Sequence, residues 1–210
     1  MNFQSSKKAA NRPGQIIQRT VGIFKSLVVL GITDCHMSKQ SIELLADTCE
    51  LLRDTLTDLD LSYSYLGLYG LKTIKQILTD PESQLINLNL KGNVLCEQGA
   101  LGVSESLKKN KTLTYLNLSS NEIPISAIRT MLNHLAKSST LFEVDLRRND
   151  FTIDDIDDIE YKLKDNGSIV NFVFDKINRQ DSFLMSLLEV DPKFYCLPQL
   201  VGTSSFFLFC

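Results

Sequence analysis

Few residues in this chain are of a type that could do chemistry, and their spacing argues against it. His36 and His134 stand alone, with no second ligand at metal-binding spacing. The five cysteines, Cys35, Cys49, Cys96, Cys196 and Cys210, form no CxxC pair and are odd in number. That pattern argues against a disulfide framework and suits a reducing compartment. Cys196 or Cys210 as a nucleophile would need a paired His or Asp motif nearby, and there is none. The acidic run Asp154, Asp155, Asp157, Asp158 and Glu160 is interrupted by Ile156 and Ile159, so it does not supply the alternating ligands, Gly and terminal Glu of a calcium loop. Those carboxylates fit the first turns of a helix, facing the positive end of its dipole. GxSxG, Walker, HExxH and CxxC motifs are absent. The sequence therefore predicts a chain that is not an enzyme and carries neither metal nor cofactor.

The elements that must position any functional residue are set by a repeat. Leu113, Leu116, Leu118 and Asn121 recur as Leu85, Leu88, Leu90 and Asn93, and as Leu141, Val144, Leu146 and Asn149. Earlier, Leu56, Leu59 and Leu61 are followed by Ser64 in the Asn place. Weaker copies flank the set: Leu27, Leu30, Ile32 with Cys35, and Ile169, Phe172, Phe174 with Ile177. The xLxLx core alternates with period two, which predicts strands stacked as a parallel sheet. The Asn falls where the chain leaves the sheet, and its amide can bond backbone groups without ladder partners. Beyond it, apolar residues such as Leu71, Ile74 and Leu78, or Ile128, Met131 and Leu135, lie on one helical stripe. Small residues Ser41, Gly70, Gly99 and Ala127 open those helices and allow close approach to the turn. Cys49 on this phasing is a small core hydrophobe.

Copies 28 to 29 residues apart, LxxLxLxxN followed by NxLxxxG and a full helix, resemble the ribonuclease-inhibitor subtype of leucine-rich repeats. The clearest match runs from Asn93 to Leu107 after Leu85 to Leu90. That subtype also occurs in nucleotide-binding immune receptors, Ran GTPase-activating proteins and tropomodulins. The resemblance implies an α/β leucine-rich-repeat solenoid, a horseshoe of about six repeats, with a parallel sheet on the concave face and helices on the convex face. The chain then divides into a basic arm and cap (1–26), the array (27–178) and a C-terminal cap or apolar tail (179–210).

Of the 210 residues, 43% are hydrophobic and 22% charged, an ordinary globular balance able to build a core without staples. The net charge of -3 and pI near 5.4 give no reason to expect nucleic-acid binding. Residues 1–26 hold Lys7, Lys8, Arg12, Arg19 and Lys25 and no acid, which is read as a solvated tail. The N-terminus lacks the apolar core of a secretory signal, and no run is long enough to span a bilayer. The ending LVGTSSFFLFC is too apolar to stand free in water, and packing on Phe172 and Phe174 would cover an open sheet edge.

Function on this architecture belongs to the positions the repeat leaves free. The outward side chains read Asp58, Asp60, Ser62; Asn87, Asn89, Lys91; Tyr115, Asn117, Ser119; and Glu143, Asp145, Arg147. Their middle column, Asp60, Asn89, Asn117, Asp145, is a ladder of acids and amides. Tyr63, Tyr65 and Tyr69 add an aromatic edge. The sequence thus predicts an intracellular, cytoplasmic interaction module or scaffold, with nuclear or cytoskeletal association open, that binds a basic or mixed-charge protein. Its partner-binding residues are expected to be Asp58, Asp60, Asn89, Tyr115, Asn117, Glu143, Asp145 and Arg147. Regulation of a small GTPase, in the manner of a GTPase-activating protein, is the alternative the resemblance allows.

Overall fold

The structure, a computed structural model, describes residues 26–135, 140–152, 171–175 and 205–209, together with Ile16, Asp155 and Ile159. Strands and helices alternate: β1 (Val29–Thr33), α1 (Lys39–Leu51), β2 (Asp58–Asp60), α2 (Gly67–Thr79), β3 (Asn87–Asn89), α3 (Cys96–Leu107), β4 (Tyr115–Asn117), α4 (Ile125–Leu135) and β5 (Glu143–Asp145), followed by β6 (Asn171–Val173) and β7 (Ser205–Phe209). All seven strands lie in one sheet of order β6-β5-β4-β3-β2-β1-β7, and every pairing is parallel. Equivalent positions align without slip: Asp58 pairs with Asn87, Asn87 with Tyr115, and Tyr115 with Glu143.

The core is the leucine skeleton. Leu59, Leu88, Leu116 and Val144 are fully buried in adjacent strands, and Leu61, Leu90, Leu118 and Leu146 repeat this two residues on. The helices close the layer with Leu45, Ile74, Val103 and Ile128, so each repeat buries its apolar face only against its neighbours. Cβ atoms added at Gly70 and Gly99 would come within 2.6 and 2.7 Å of the Cβ atoms of Leu66 and Leu95. These glycines are what lets each helix close onto its own entry turn.

Helix starts are capped unevenly. Ser38 accepts the Ser41 N–H at 3.2 Å and caps α1, but Leu66 and Leu95, before α2 and α3, offer no side-chain acceptor. There the next repeat does the work: Gly67 N–H donates to the Asn93 carbonyl at 3.3 Å and Cys96 N–H to the Asn121 carbonyl at 2.9 Å. Thr152 and Asp155 form a further reciprocal cap, Thr152 N–H and Oγ1 donating to Asp155 Oδ2 at 3.0 and 2.7 Å and Asp155 N–H donating to Thr152 Oγ1 at 3.3 Å. Asp155 and Ile159 are helical, as the reading of the acidic run expects, while Asp154, Asp157, Asp158 and Glu160 lie outside the described residues.

Two expectations are corrected. The apolar ending does not cover the edge at Phe172 and Phe174: residues 205–209 pair with β1 at the opposite end, Val29 with Ser205 through Thr33 with Phe209. Edge strands expose unpaired backbone groups at both ends of an array, and the five-residue β1 offers a longer ladder than the three-residue β6. Cys35 is disulfide-bonded, so the array is not free of disulfides, whereas Cys49 and Cys96 keep free thiols.

Candidate partner-binding site

Each strand leaves the sheet through the same turn. Asp34, Tyr63, Ser120 and Arg148 hold φ near +55°, and Gly92 holds +68° at the equivalent place. Only glycine takes up this left-handed conformation without strain. The turn is stabilised from the next repeat: Asp34 N–H donates to the Ser62 carbonyl (2.9 Å), Tyr63 to Lys91 (2.7 Å), Gly92 to Ser119 (3.0 Å) and Ser120 to Arg147 (2.9 Å).

Beneath the turns runs the Asn ladder. Asn121 Oδ1 accepts from the N–H of Asn93 (3.0 Å) and of Leu95 (3.3 Å), and Asn121 Nδ2 donates to the carbonyls of Leu90 (2.9 Å) and Ser119 (3.1 Å). Asn93 does the same for Ser64 and Leu66, both at 3.1 Å, and Asn149 for Asn121 and Ile123, at 2.9 and 3.1 Å. These three side chains join neighbouring repeats, which is the structural role their position implies. A second polar seam, which the sequence reading missed, lies at the far end of the helices. Asn110 Nδ2 donates to the Leu78 carbonyl (3.0 Å), and its Oδ1 accepts from Thr112 N–H (3.0 Å) and Leu113 N–H (2.7 Å).

The eight expected partner-binding residues share the sheet's face but not the same exposure. Asp60, Asn89, Tyr115, Asn117 and Asp145 are between 1% and 7% exposed. The middle column folds back on its own backbone: Oδ1 of Asp60, Asn89, Asn117 and Asp145 accepts the N–H of Ser62 (2.8 Å), Lys91 (3.1 Å), Ser119 (2.9 Å) and Arg147 (3.0 Å). An Asx side chain closing on the amide two residues on is a turn former. The acid and amide ladder is thus the start of the exit turn rather than a row of offered groups.

Electrostatics separate its two acids. Burial pushes the Asp60 carboxyl above the usual range, opposed by its bonds with Ser62 and Asn89 and by the Lys91 charge. Asp145 instead holds Arg147 in a fork, Oδ1 to Nε at 3.0 Å and Oδ2 to a terminal guanidinium nitrogen at 2.6 Å. The remaining expected residues, Asp58, Glu143 and Arg147, are half-buried, as are Asn87 and Lys91. Asp58 is tied to its neighbours, accepting from Asn87 Nδ2 and Thr57 Oγ1, both at 2.6 Å. Acidic and amide groups therefore line the strand starts (Asp58, Asn87, Glu143), and the two cations Lys91 and Arg147 line the strand ends.

Aromatic and apolar residues rim this face. His36 stacks on Tyr65 with ring centroids 3.9 Å apart. The Lys91 ammonium lies 5.7 Å from the centre of the Tyr63 ring. Val28, Ile86 and Phe142, at equivalent places before β1, β3 and β5, are 36%, 40% and 58% exposed, an apolar border the sequence reading did not single out. His134 is half-buried on α4 and bonds Ser104 Oγ through Nδ1 at 2.9 Å. Burial pushes the Cys49 thiol up to about 12, and lost hydration and the Glu122 carboxylate raise Cys96, so neither is poised as a thiolate. Among the described residues no group of three metal-ligating side chains comes together and no helix is long and apolar enough to cross a membrane.

No family model matches the chain. It is 31% identical over 147 residues to mouse NACHT, LRR and PYD domains-containing protein 14 (69% of this chain, 15% of that protein). It is 32% identical over 111 residues to mouse NACHT, LRR and PYD domains-containing protein 4E (52% of this chain, 11% of that protein). The chain thus spans between a tenth and a sixth of the length of these relatives. Among solved structures, leiomodin-1 actin-binding site 2 aligns at 16% identity with a TM-score of 0.43, covering 80% of each chain. The parallel strand-and-helix architecture and the likeness to the two mouse proteins together support a leucine-rich-repeat relationship.

Proposed function

We propose that this chain is a non-catalytic protein-interaction module, an array of six ribonuclease-inhibitor-like repeats bent into a horseshoe, that binds a protein of mixed charge through the inner face of its sheet. One observation carries the reading: the unslipped register aligns Asp58, Asn87 and Glu143 along the strand starts while Lys91 and Arg147 stand at the strand ends. A rigid face with acids on one side and bases on the other fixes a partner's orientation as well as its charge. The exposed Ile86 and Phe142 beside the acidic column supply apolar contact. Names of the similar proteins, each containing leucine-rich repeats, support a protein as the ligand.

The test is affinity capture from the native cell followed by mass spectrometry, with three chains compared. Asp58→Lys with Glu143→Lys, and separately Lys91→Glu, should each lose the same partner recovered by the parent while keeping its far-UV circular dichroism. Recovery of every partner at parental yield by both variants would refute binding through this face.

A further inference from the structure

The Asn ladder ends in a cysteine. Asn149, Asn121 and Asn93 hold one place in successive repeats, Ser64 takes it next, and Cys35 takes it in the first repeat. Cys35 is fully buried and disulfide-bonded, whereas Cys49 and Cys96 keep free thiols. Of the five cysteines, that leaves Cys196 and Cys210 as partners within the chain. Register decides between them. β7 lies parallel to β1, with Val29 opposite Ser205 and Thr33 opposite Phe209. Cys35 comes two residues after Thr33 and Cys210 one after Phe209. On strands ~4.8 Å apart, those positions suit the ~5.5 Å Cα separation of a disulfide. Cys196 precedes Ser205 by nine residues, and Ser205 sits at the opposite end of the pair, against Val29.

The bond falls at the end of β1 that β2 does not reach. β1 pairs with β2 over Val29, Leu30 and Gly31, so among the described residues Ile32 and Thr33 have strand partners only in Leu208 and Phe209. Asn149, Asn121 and Asn93 join repeats through amides, which no redox change touches; Cys35, in the same place, carries a link that two electrons can cut. We propose that the Cys35 disulfide closes on Cys210 and is a redox latch: oxidised, it fastens β7 along the outer edge of β1, and a dithiol reductant opens it and frees that edge. In the first step of opening, a reductant thiolate attacks the Cys210 sulfur, a mixed disulfide forms, and the S–S electron pair leaves on the Cys35 sulfur, which takes a proton. The Thr33 carbonyl, 3.3 Å from Cys35 Sγ, is placed to accept from the thiol so formed. The second reductant thiol, as its thiolate, then attacks the reductant's own sulfur in the mixed disulfide. Cys210 leaves and takes a proton, and the reductant departs as a cyclic disulfide, two electrons and two protons having passed to the protein.

The test is run on the full chain. Digestion without reductant, followed by mass spectrometry, should recover Cys35 linked to Cys210 within one molecule; a link from Cys35 to Cys196, a link between two chains, or no link overturns the proposal. Amide exchange is then compared before and after treatment with dithiothreitol. Exchange at Val29–Thr33 should rise about tenfold or more on reduction, while that at β3 and β4 changes less than about twofold, and it should fall back on reoxidation with oxidised glutathione. Cys210→Ser should exchange at the fast rate with or without dithiothreitol, and Cys196→Ser should behave as the parent does. Unchanged exchange at Val29–Thr33 on reduction overturns the latch, since the main-chain ladder would then hold β7 unaided. Equal loss of protection throughout the array overturns it too, because the bond would then staple the whole fold. Should Cys210→Ser fail to fold, reduction and reoxidation of the parent chain decide the question in the same way.

Discussion

Replacing Asn121 with Ala tests the ladder at its centre. The side chain makes four bonds, but their loss is unequal. The Leu90 carbonyl keeps Asn93 Nδ2 at 3.0 Å, and the Ser119 carbonyl keeps the Gly92 N–H at 3.0 Å, so neither acceptor is abandoned. The N–H groups of Asn93 and Leu95 have Asn121 Oδ1 as acceptor, and both residues are fully buried. An orphaned buried donor costs about 1–3 kcal/mol, so the variant should lose on the order of 4 kcal/mol. Against a total of roughly 5–15 kcal/mol for a domain, that is a large fraction. With a urea slope of about 2 kcal/mol per molar, the midpoint should fall by ~2 M, read by far-UV circular dichroism. Amide exchange gives the sharper reading, because Asn93 and Leu95 should lose protection first while Leu116 and Leu118 keep it longest. A stability loss under about 1 kcal/mol, or unchanged protection of those two amides, would refute the ladder as the joint between repeats.

Three further outcomes follow from the same contacts. Asp60→Asn keeps an oxygen for the Ser62 N–H and removes a buried charge, so it should stabilise by on the order of 1 kcal/mol near neutral pH. Because the folded carboxyl titrates above the unfolded one, the native state holds its proton to higher pH and is penalised as pH rises through that raised value; the gain of the variant should vanish in acid, measured by urea titrations across pH 3–8. Asp145→Asn should act in the opposite sense, since it removes the charge of the carboxylate that forks the half-buried Arg147 guanidinium, and should lower stability by about 1–3 kcal/mol in the same titration at pH 7. Gly92→Ala should cost about 1–2 kcal/mol through its φ of +68°, and because a Cβ there overlaps the Tyr63 ring, the ring should leave Lys91, seen as a change in tyrosine fluorescence quenching.

The sequence carried the architecture because its signal is repeated. Leu59, Leu88, Leu116 and Val144 occupy one position of one pattern and share one fate, full burial. Its Asn positions were legible as turn residues for the same reason, although nothing local says that Asn121 bonds the backbone of the repeat before it. The depth of the residues expected to meet a partner was less legible, because alternation reports which face a side chain takes but not how deep it lies. Asp60, Asn89, Asn117 and Asp145 do take the outward face, and there the short side chain turns back to the amide two residues on. A signal was available in the recurrence itself: an Asx residue held at one place through four repeats is more simply explained by a need common to all repeats than by a partner. Only Gly92 announced the left-handed turn; Asp34, Tyr63, Ser120 and Arg148 adopt it without any compositional mark. The place of 205–209 beside β1 had no signal, since it is a pairing between distant segments and not part of the repeat.

The two ends of the ladder explain why the first repeat needs help from elsewhere. Asn149, Asn121 and Asn93 each reach back to the repeat before, but Ser64 stands next in line, and its hydroxyl donates to the Ile32 carbonyl at 2.7 Å without the amide's second arm. Cys35 holds the place beyond it. Besides that Ser64 bond and the Asp34 N–H to Ser62 carbonyl bond of the turn, the first and second repeats are joined by strand pairing, by Thr55 Oγ1 donating to the Leu27 carbonyl at 3.0 Å and by packing between α1 and α2. In a linear array a weakly joined terminal repeat opens first. A strand laid along β1 from outside adds ladder bonds where the amide ladder adds none, so loss of β7 should loosen Val29–Thr33 well before it disturbs β3 or β4.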